Sequence, residues 1–311
     1  MKNVADFIAK TTRELQAQIG DKKAICGLSG GVDSSVAAAL VHKAVPGCLT
    51  CVYVDTGLMR QNECREVEEM FTGQFKIPFI RVDAVDEFLL KLTGIIDPEA
   101  KRKIIGETFV RVFEREAKKR GDAECLVQGT ILPDIEESAA KTWVKSHHNV
   151  GGMPETMTFT ELVEPLRTLC KDEVRQVGLE LGMTNFMVFR QPFPGPGLAV
   201  RCLGEITAEK LDILRRADDI VTGALDELDI WQYFAILTGL RSVGIKNGKR
   251  VYGHVIAIRA VSSVNARTAE WFKIPYDILS RLSKRLTEEI PEVCRVVYDI
   301  TDKPCGTIEW E

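Results

Sequence analysis

Seven residues, Ser29-Gly30-Gly31-Val32-Asp33-Ser34-Ser35, restrict what this chain can fold into more than any other stretch. They follow the apolar run 24–28 and lead into Val36-Ala37-Ala38-Ala39-Leu40-Val41, the order of strand, glycine turn and helix. Two glycines let the backbone turn tightly and bring successive N–H groups close to an anion. Ser34 and Ser35 fall in the first helical turn, where unpaired N–H groups and the helix dipole favour phosphate. Asp33 is placed to hold a magnesium ion that bridges phosphates. The stretch reads as a nucleotide-phosphate cradle. It is not a Walker A loop, because no lysine follows the glycines at the required spacing. The plainer alternative is a serine-rich turn that binds nothing, and seven residues in register between strand and helix weigh against it.

Strand-like runs recur at 24–28, 50–54, 77–82 and 124–127, with helical patterns between them at 34–43, 62–75 and 100–119. This alternation predicts an α/β fold, a doubly wound parallel sheet with helices on both faces. Ligands of such sheets sit at the carboxyl ends of strands, where the glycine loop falls. Asp55 ends the second strand, in the place of a ribose-binding acid or of a plain turn residue, and the backbone of Val54 is available to an adenine. Residues 191–198, with three prolines and two glycines, read as a stiff linker. Beyond them a helix at 208–228, strands at 233–237, 251–260 and 295–300, and a helix at 277–290 predict a second, smaller α+β domain. The expected domains are therefore 1–190 and 191–311.

With 311 residues, 45% apolar, each domain can build a sizeable core. A net charge of −4 gives no bulk case for binding nucleic acid or a membrane surface. Val4, Ile8, Thr11, Leu15 and Ile19 share one helical face, so the N-terminal stretch reads as a surface helix rather than a signal peptide. The nine cysteines are scattered and several lie in apolar runs, which points to a reducing, cytoplasmic setting. Cys48 and Cys51 form one C-x-x-C, but no second pair completes a zinc site.

Residues 128–138 close the fourth strand and open a loop, and 145–154 follow with Lys145, His147, His148 and a glycine pair. Adjacent histidines on extended chain point to opposite sides, so joint metal coordination is disfavoured. A lid over the phosphates fits this segment, and a solvated loop is the plainer reading.

Taken together, S-G-G-V-D-S-S, Y-V-D-T-G-L-M-R, E-A-K-R-K-I-I-G, Q-G-T-I-L-P-D, K-S-H-H-N-V-G-G-M-P, R-Q-P-F-P-G-P-G-L-A and the final D-K-P-C-G-T-I-E-W-E resemble the GMP synthase family. The resemblance is to the stand-alone ATP-pyrophosphatase subunit of its two-chain form, in the N-type ATP pyrophosphatase superfamily with its adenine nucleotide α hydrolase-like fold. It implies that XMP is adenylated by ATP and then aminated by ammonia, with ATP and Mg2+ required. By resemblance Ser29, Gly30, Gly31, Val32, Asp33, Ser34 and Ser35 hold the phosphates, Asp33 also sits at the metal, and Val54 and Gly129 line the adenosine site. Asp134, Glu137 and Lys145 match lid residues tied to adenylation. Arg102, Lys303, Thr307, Ile308 and Glu309 match the XMP site. One departure is Cys305, where the family's tail has a second proline.

The same resemblance implies a homodimer through the second domain. No cysteine lies in a G-x-C-x-G turn, so ammonia is expected from solution or from a separate glutaminase subunit. The competing readings are another pyrophosphatase, such as an NAD synthetase or a tRNA-thiolating enzyme, and a nucleotide sensor without turnover. The resemblance places the tail in the XMP site, so removal of 304–311 is expected to abolish XMP binding and to leave ATP binding and dimerisation largely unchanged, whereas a frayed chain end, the plainer reading, would leave XMP binding undiminished.

Overall fold

The structure is a computed structural model that describes residues 3–140, 159–264 and 266–311. Two compact units result: 1–56, 62–85 and 105–190 form one, and 57–61, 86–104 and 191–311 the other. The short segments 57–61 and 86–104 join the second unit for identifiable reasons. Leu58 accepts a backbone bond from Leu198, Arg215 donates to the carbonyls of Gly57 and Met59, and Lys101 donates to Cys202.

The elements of the first unit are α1 (Val4–Ile19), β1 (Lys23–Leu28), α2 (Val32–Ala44), β2 (Leu49–Asp55), α3 (Glu63–Glu69) and β3 (Phe79–Asp83). Next come α4 (Val85–Leu92), nearly all in the second unit, and α5 (Pro98–Arg120), of which only 98–104 are, then β4 (Ala123–Val127), α6 (Leu132–Ala140), β5 (Glu161–Val163), α7 (Lys171–Glu180) and α8 (Asn185–Val188). The five strands are all parallel, in the order β3-β2-β1-β4-β5. Helices cover both faces, as neighbouring residues of β1 show. Cys26 turns its sulfur toward the Ser34 carbonyl of α2, while a side chain on Gly27 would strike Phe113 of α5 at 3.2 Å. The chain builds outward from β1 to β3, then returns to β4 on the other side. That reversal makes the β1/β4 junction the topological switch point, where such sheets hold ligands.

Local departures from the sequence reading have local causes. The helix expected over 62–75 is α3 followed by a π-helical stretch, Met70–Gln74. Residues 132–140, read as a loop, form α6, and 197–200 of the expected linker form a buried 3-10 turn in which Leu198 and Ala199 are fully buried. Gly197, at φ 64°, is pressed so close to the Leu58 carbonyl that any side chain would collide with it. The proline-rich stretch therefore packs rather than spans.

The second unit contains α9 (Ala208–Leu225), β6 (Gln232–Lys246), β7 (Lys249–Ser262), β8 (Glu270–Trp271), α10 (Tyr276–Glu289) and β9 (Val293–Asp299). β6 and β7 are a long antiparallel hairpin, while β8 and β9 pair with β7 antiparallel and parallel respectively. The hairpin turns at Asn247 and Gly248, both left-handed at φ 50° and 72°, the pair of angles a two-residue type I′ turn requires. Phe234, Ile236, Ala257, Val261, Ala269 and Ile308 form a core cluster, so the segment 304–311 is anchored in the interior through Ile308.

Candidate functional site

Where β1 ends, Gly30 adopts φ 77° and Gly31 becomes the N-cap of α2. The serines close the turn on itself. Ser29 N–H donates to Ser34 Oγ at 3.3 Å, Gly31 N–H to Ser29 Oγ at 3.3 Å, and Ser35 Oγ to the Gly31 carbonyl at 2.9 Å. Val32 is the first residue of α2, so Ser34 and Ser35 do stand in its first turn. The hydroxyls and loop amides thus converge on one helix N-terminus, an arrangement suited to phosphate oxygens.

Gly129, just past β4, completes this junction. A Cβ on it would lie 2.6 Å from the Ser34 nitrogen and 2.7 Å from the Asp33 carbonyl carbon, so only glycine lets the β4 end lie against the loop. Val54 is buried. Pairing of β2 with β1 stops at Leu28↔Tyr53 and that with β3 runs on to Asp55↔Asp83, which leaves Val54 beyond the end of β1. Asp55 differs from the ribose-binding reading, since its Oδ2 accepts from Arg81 at 2.7 Å and the carboxylate is buried in an ion pair.

Asp33 has two unlike oxygens. Oδ2 accepts from Lys171 Nζ at 2.6 Å, and Oδ1 is buried with no hydrogen-bond partner among the described residues. Lys171 is the first residue of α7, whose start is capped by Glu173 accepting from the Cys170 N–H at 3.0 Å. That backbone bond is the main reason the Glu173 carboxyl is held below its usual range. Gly178 brings α7 close to α2, because a methyl there would meet Val36 at 3.1 Å. Lys171 is a cation the sequence reading did not select; nothing in its local motif marks it, since only the α2–α7 packing carries it to Asp33. Arg190 is a second such residue: it donates to the Gly30 carbonyl and, at 2.7 Å, to Glu63.

Asp134 lies at the start of α6, where its Oδ2 accepts from the Ile131 N–H at 3.1 Å. Glu137 lies within α6, and its side chain is outside the described residues, as are Lys145, His147 and His148. No group of three metal-binding side chains occurs among the described residues, and Cys48 of the C-x-x-C faces the Gly20 carbonyl while Cys51 is buried in β2.

The residues matched to a second nucleotide fall in the second unit. Glu309 accepts two bonds from Arg201, at 3.0 and 2.8 Å, and a third from Gln232 at 3.2 Å. Arg201 is 1% exposed and also lies 4.0 Å from Asp218, a carboxyl raised above its usual range by burial. Thr307 and Ile308 offer their carbonyls to Arg259 at 3.0 and 3.4 Å, and the Ile308 side chain belongs to the core. Lys303 donates to the Ala266 carbonyl at 2.8 Å, and Arg102 pairs with Glu99. The tail residues are thus brought together. Arg102 is tied elsewhere, and it is its neighbour Lys101 that reaches the tail, through Glu311. A charged residue inside an apolar run, as in L-A-V-R-C and I-A-I-R-A-V, was the available signal for Arg201 and Arg259.

Two family models match this chain: NAD synthase over residues 1–105 and the GMP synthase C terminal domain over residues 220–310. Curated relatives named "GMP synthase [glutamine-hydrolyzing]" from Acetivibrio thermocellus and from Clostridium botulinum (strain Loch Maree / Type A3) are each 56% identical over 99% of this chain. The chain spans 61% and 62% of their respective lengths. Among solved structures, an NMN synthetase from Francisella tularensis aligns with a TM-score of 0.48 at 16% identity, covering 68% of this chain and 84% of its own.

Proposed function

The chain is a homologue of GMP synthases along 99% of its length, and from that premise we propose that it converts XMP to GMP using ATP and ammonia. The C2 oxygen of XMP attacks the α-phosphate of ATP, pyrophosphate leaves, and adenyl-XMP forms. Ammonia then attacks C2, and the oxygen departs with AMP. The observation that carries the reading is the half-satisfied Asp33 carboxylate beside the loop amides. A buried oxygen without a partner is costly unless something binds it, and magnesium characteristically takes one or two protein carboxylates together with phosphate oxygens. Asp33 Oδ1 is thus the atom that would hold the ion, whose chemistry there is to neutralise phosphate charge. Lys171, already at the loop, exchanges Asp33 for the departing pyrophosphate, and the amides of 29–35 receive its oxygens. Asp134, Glu137 and Lys145 are assigned to the adenylation step, Val54 and Gly129 to adenosine, and Arg102, Lys303, Thr307, Ile308 and Glu309 to XMP. Ile308 contributes its backbone, since its side chain is buried.

A separate glutaminase chain is proposed as the ammonia source. A homodimer through the second unit is proposed from the exposed apolar face of the hairpin, where Val243 pairs with Tyr252 and Ile245 lies alongside. The setting is taken to be cytoplasmic, in keeping with free cysteines throughout the described residues. No helix among the described residues is long and apolar enough to cross a membrane. The match of residues 1–105 to NAD synthase favours a second reading, amidation of deamido-NAD. The test incubates the chain with ATP, magnesium and ammonium plus either XMP or deamido-NAD, and measures AMP. AMP and GMP formed with XMP alone are expected, and turnover with glutamine in place of ammonium is not. AMP release only with deamido-NAD would overturn the proposal.

A further inference from the structure

We infer that Arg190 is a positioning residue for the phosphate loop, holding the Gly30 carbonyl so that the Gly31 N–H is turned to the triphosphate. The inference rests on the reading of 29–35 as the ATP site. A trans peptide carries its C=O and N–H on opposite sides. Arg190 donates to the Gly30 oxygen, so the N–H of the same peptide unit points away from the guanidinium, toward Ser29 Oγ at 3.3 Å. That bond is long for an N–H donor, and a phosphate oxygen competes well for the same proton. Both residues of this peptide are glycine, and Gly30 already sits at φ 77°, so no side chain opposes a flip of the plane. Once flipped, the peptide presents a carbonyl oxygen to the phosphates and repels them. Arg190 is what opposes that flip.

Its own position is set by Glu63, the first residue of α3, which is 2% exposed and accepts from the same guanidinium nitrogen at 2.7 Å. The guanidinium thus couples α3 to the loop, and its value to the loop lies in direction rather than in charge on the ligand.

The experiment compares the whole chain with R190M and with the double variant R190M/E63Q. Thermal unfolding and titrations with magnesium-ATP, adenosine and XMP are measured on each. R190M takes one charged donor from the buried Glu63 carboxylate and is expected to melt earlier, whereas the double variant also removes that buried charge and recovers most of the lost melting temperature. In both variants ATP binding is expected to weaken by about tenfold or more, the worth of one hydrogen bond to a charged group. Adenosine, which has no phosphates, and XMP are expected to bind as to the unaltered chain. Full recovery of ATP affinity in the double variant, or equal losses for adenosine and ATP, would overturn the inference. An unaltered chain that binds no ATP overturns both the ATP-site reading and the inference. One that binds ATP but releases no pyrophosphate with XMP overturns the proposed reaction alone, and the affinity ratios still decide the role of Arg190.

Discussion

Removing residues 304–311 is expected to unfold the second unit, not merely to empty a nucleotide site. The segment supplies Glu309 to Arg201, which is 1% exposed, and Glu311 to Lys101, which is fully buried. It also supplies the Thr307 and Ile308 carbonyls to the fully buried Arg259, and the Ile308 side chain to the core cluster. Breaking a buried ion pair by deleting one partner costs about 3–5 kcal/mol, because the other charge stays buried. Arg201 retains only the more distant Asp218 carboxylate at 4.0 Å. Deleting a buried isoleucine side chain costs a further 2–5 kcal/mol or so. Two pairs and one core side chain together come to about 8–15 kcal/mol, comparable with the roughly 5–15 kcal/mol that holds a typical domain folded. Circular dichroism, thermal unfolding and limited proteolysis of the truncated chain are the assay, with cleavage expected throughout β6 and β7. A truncated chain that melts like the intact one and loses only XMP binding would refute this reasoning and restore the expectation of a tail that serves the nucleotide site alone. E309Q is the gentler probe, since it keeps the shape of the carboxylate and removes its charge.

G129A forces a methyl against the Ser34 and Asp33 backbone; about 1–3 kcal/mol of stability and most ATP affinity should be lost, and unchanged ATP titration would contradict the close packing. D33N and K171M should each slow pyrophosphate release about a hundredfold, with K171M melting within about 1 kcal/mol of the parent because its ion pair is half-exposed; normal release in either would remove that residue from the reaction. Burial, and then the charge of Arg241, hold the His254 pKa below 6.5, so the unfolded chain takes up the proton first. Stability is full above about pH 6.5 and declines as the pH falls toward the folded value, and urea midpoints at pH 7.5 and 5.5 should differ less in H254Q than in the parent.

The parallel sheet was legible because its strands are apolar runs that alternate with helical periodicity, and β1, β2, β3 and β4 lie within two residues of the runs that mark them. β5, α7 and α8 were not, since three or four residues carry too little pattern and α7 follows a stretch without a clear start signal. The hairpin of β6 and β7 was read as two separate strands even though Asn247-Gly248 between them is a strong turn signal. β6 is buried without a break to Thr238; beyond Gly239, at φ 73° beside a register shift, the strand leaves the core and its apolar residues Leu240, Val243 and Ile245 are exposed. Burial within the chain there stops deciding residue type, so the pattern no longer marks where the core ends.

The loop itself was readable because a tight strand-to-helix turn demands glycines and a helix start in a fixed order. The groups that orient it were not readable, because they act across long stretches of chain. Lys171 reaches Asp33 and Arg190 reaches Gly30 only once α7 and the segment after α8 have packed beside α2. The tail shows the same logic in the second unit, where Arg259, an interior strand residue, gathers the carbonyls of Thr301, Thr307 and Ile308. A guanidinium can do this because it offers five donors in a rigid fork and cannot be deprotonated. It fixes backbone whose own sequence, glycine in one case and a chain end in the other, would leave it free to move. Motifs mark the glycines and the tail residues; arginines far away in sequence, Arg190 at the loop and the buried Arg259 at the tail, hold the carbonyls of that backbone.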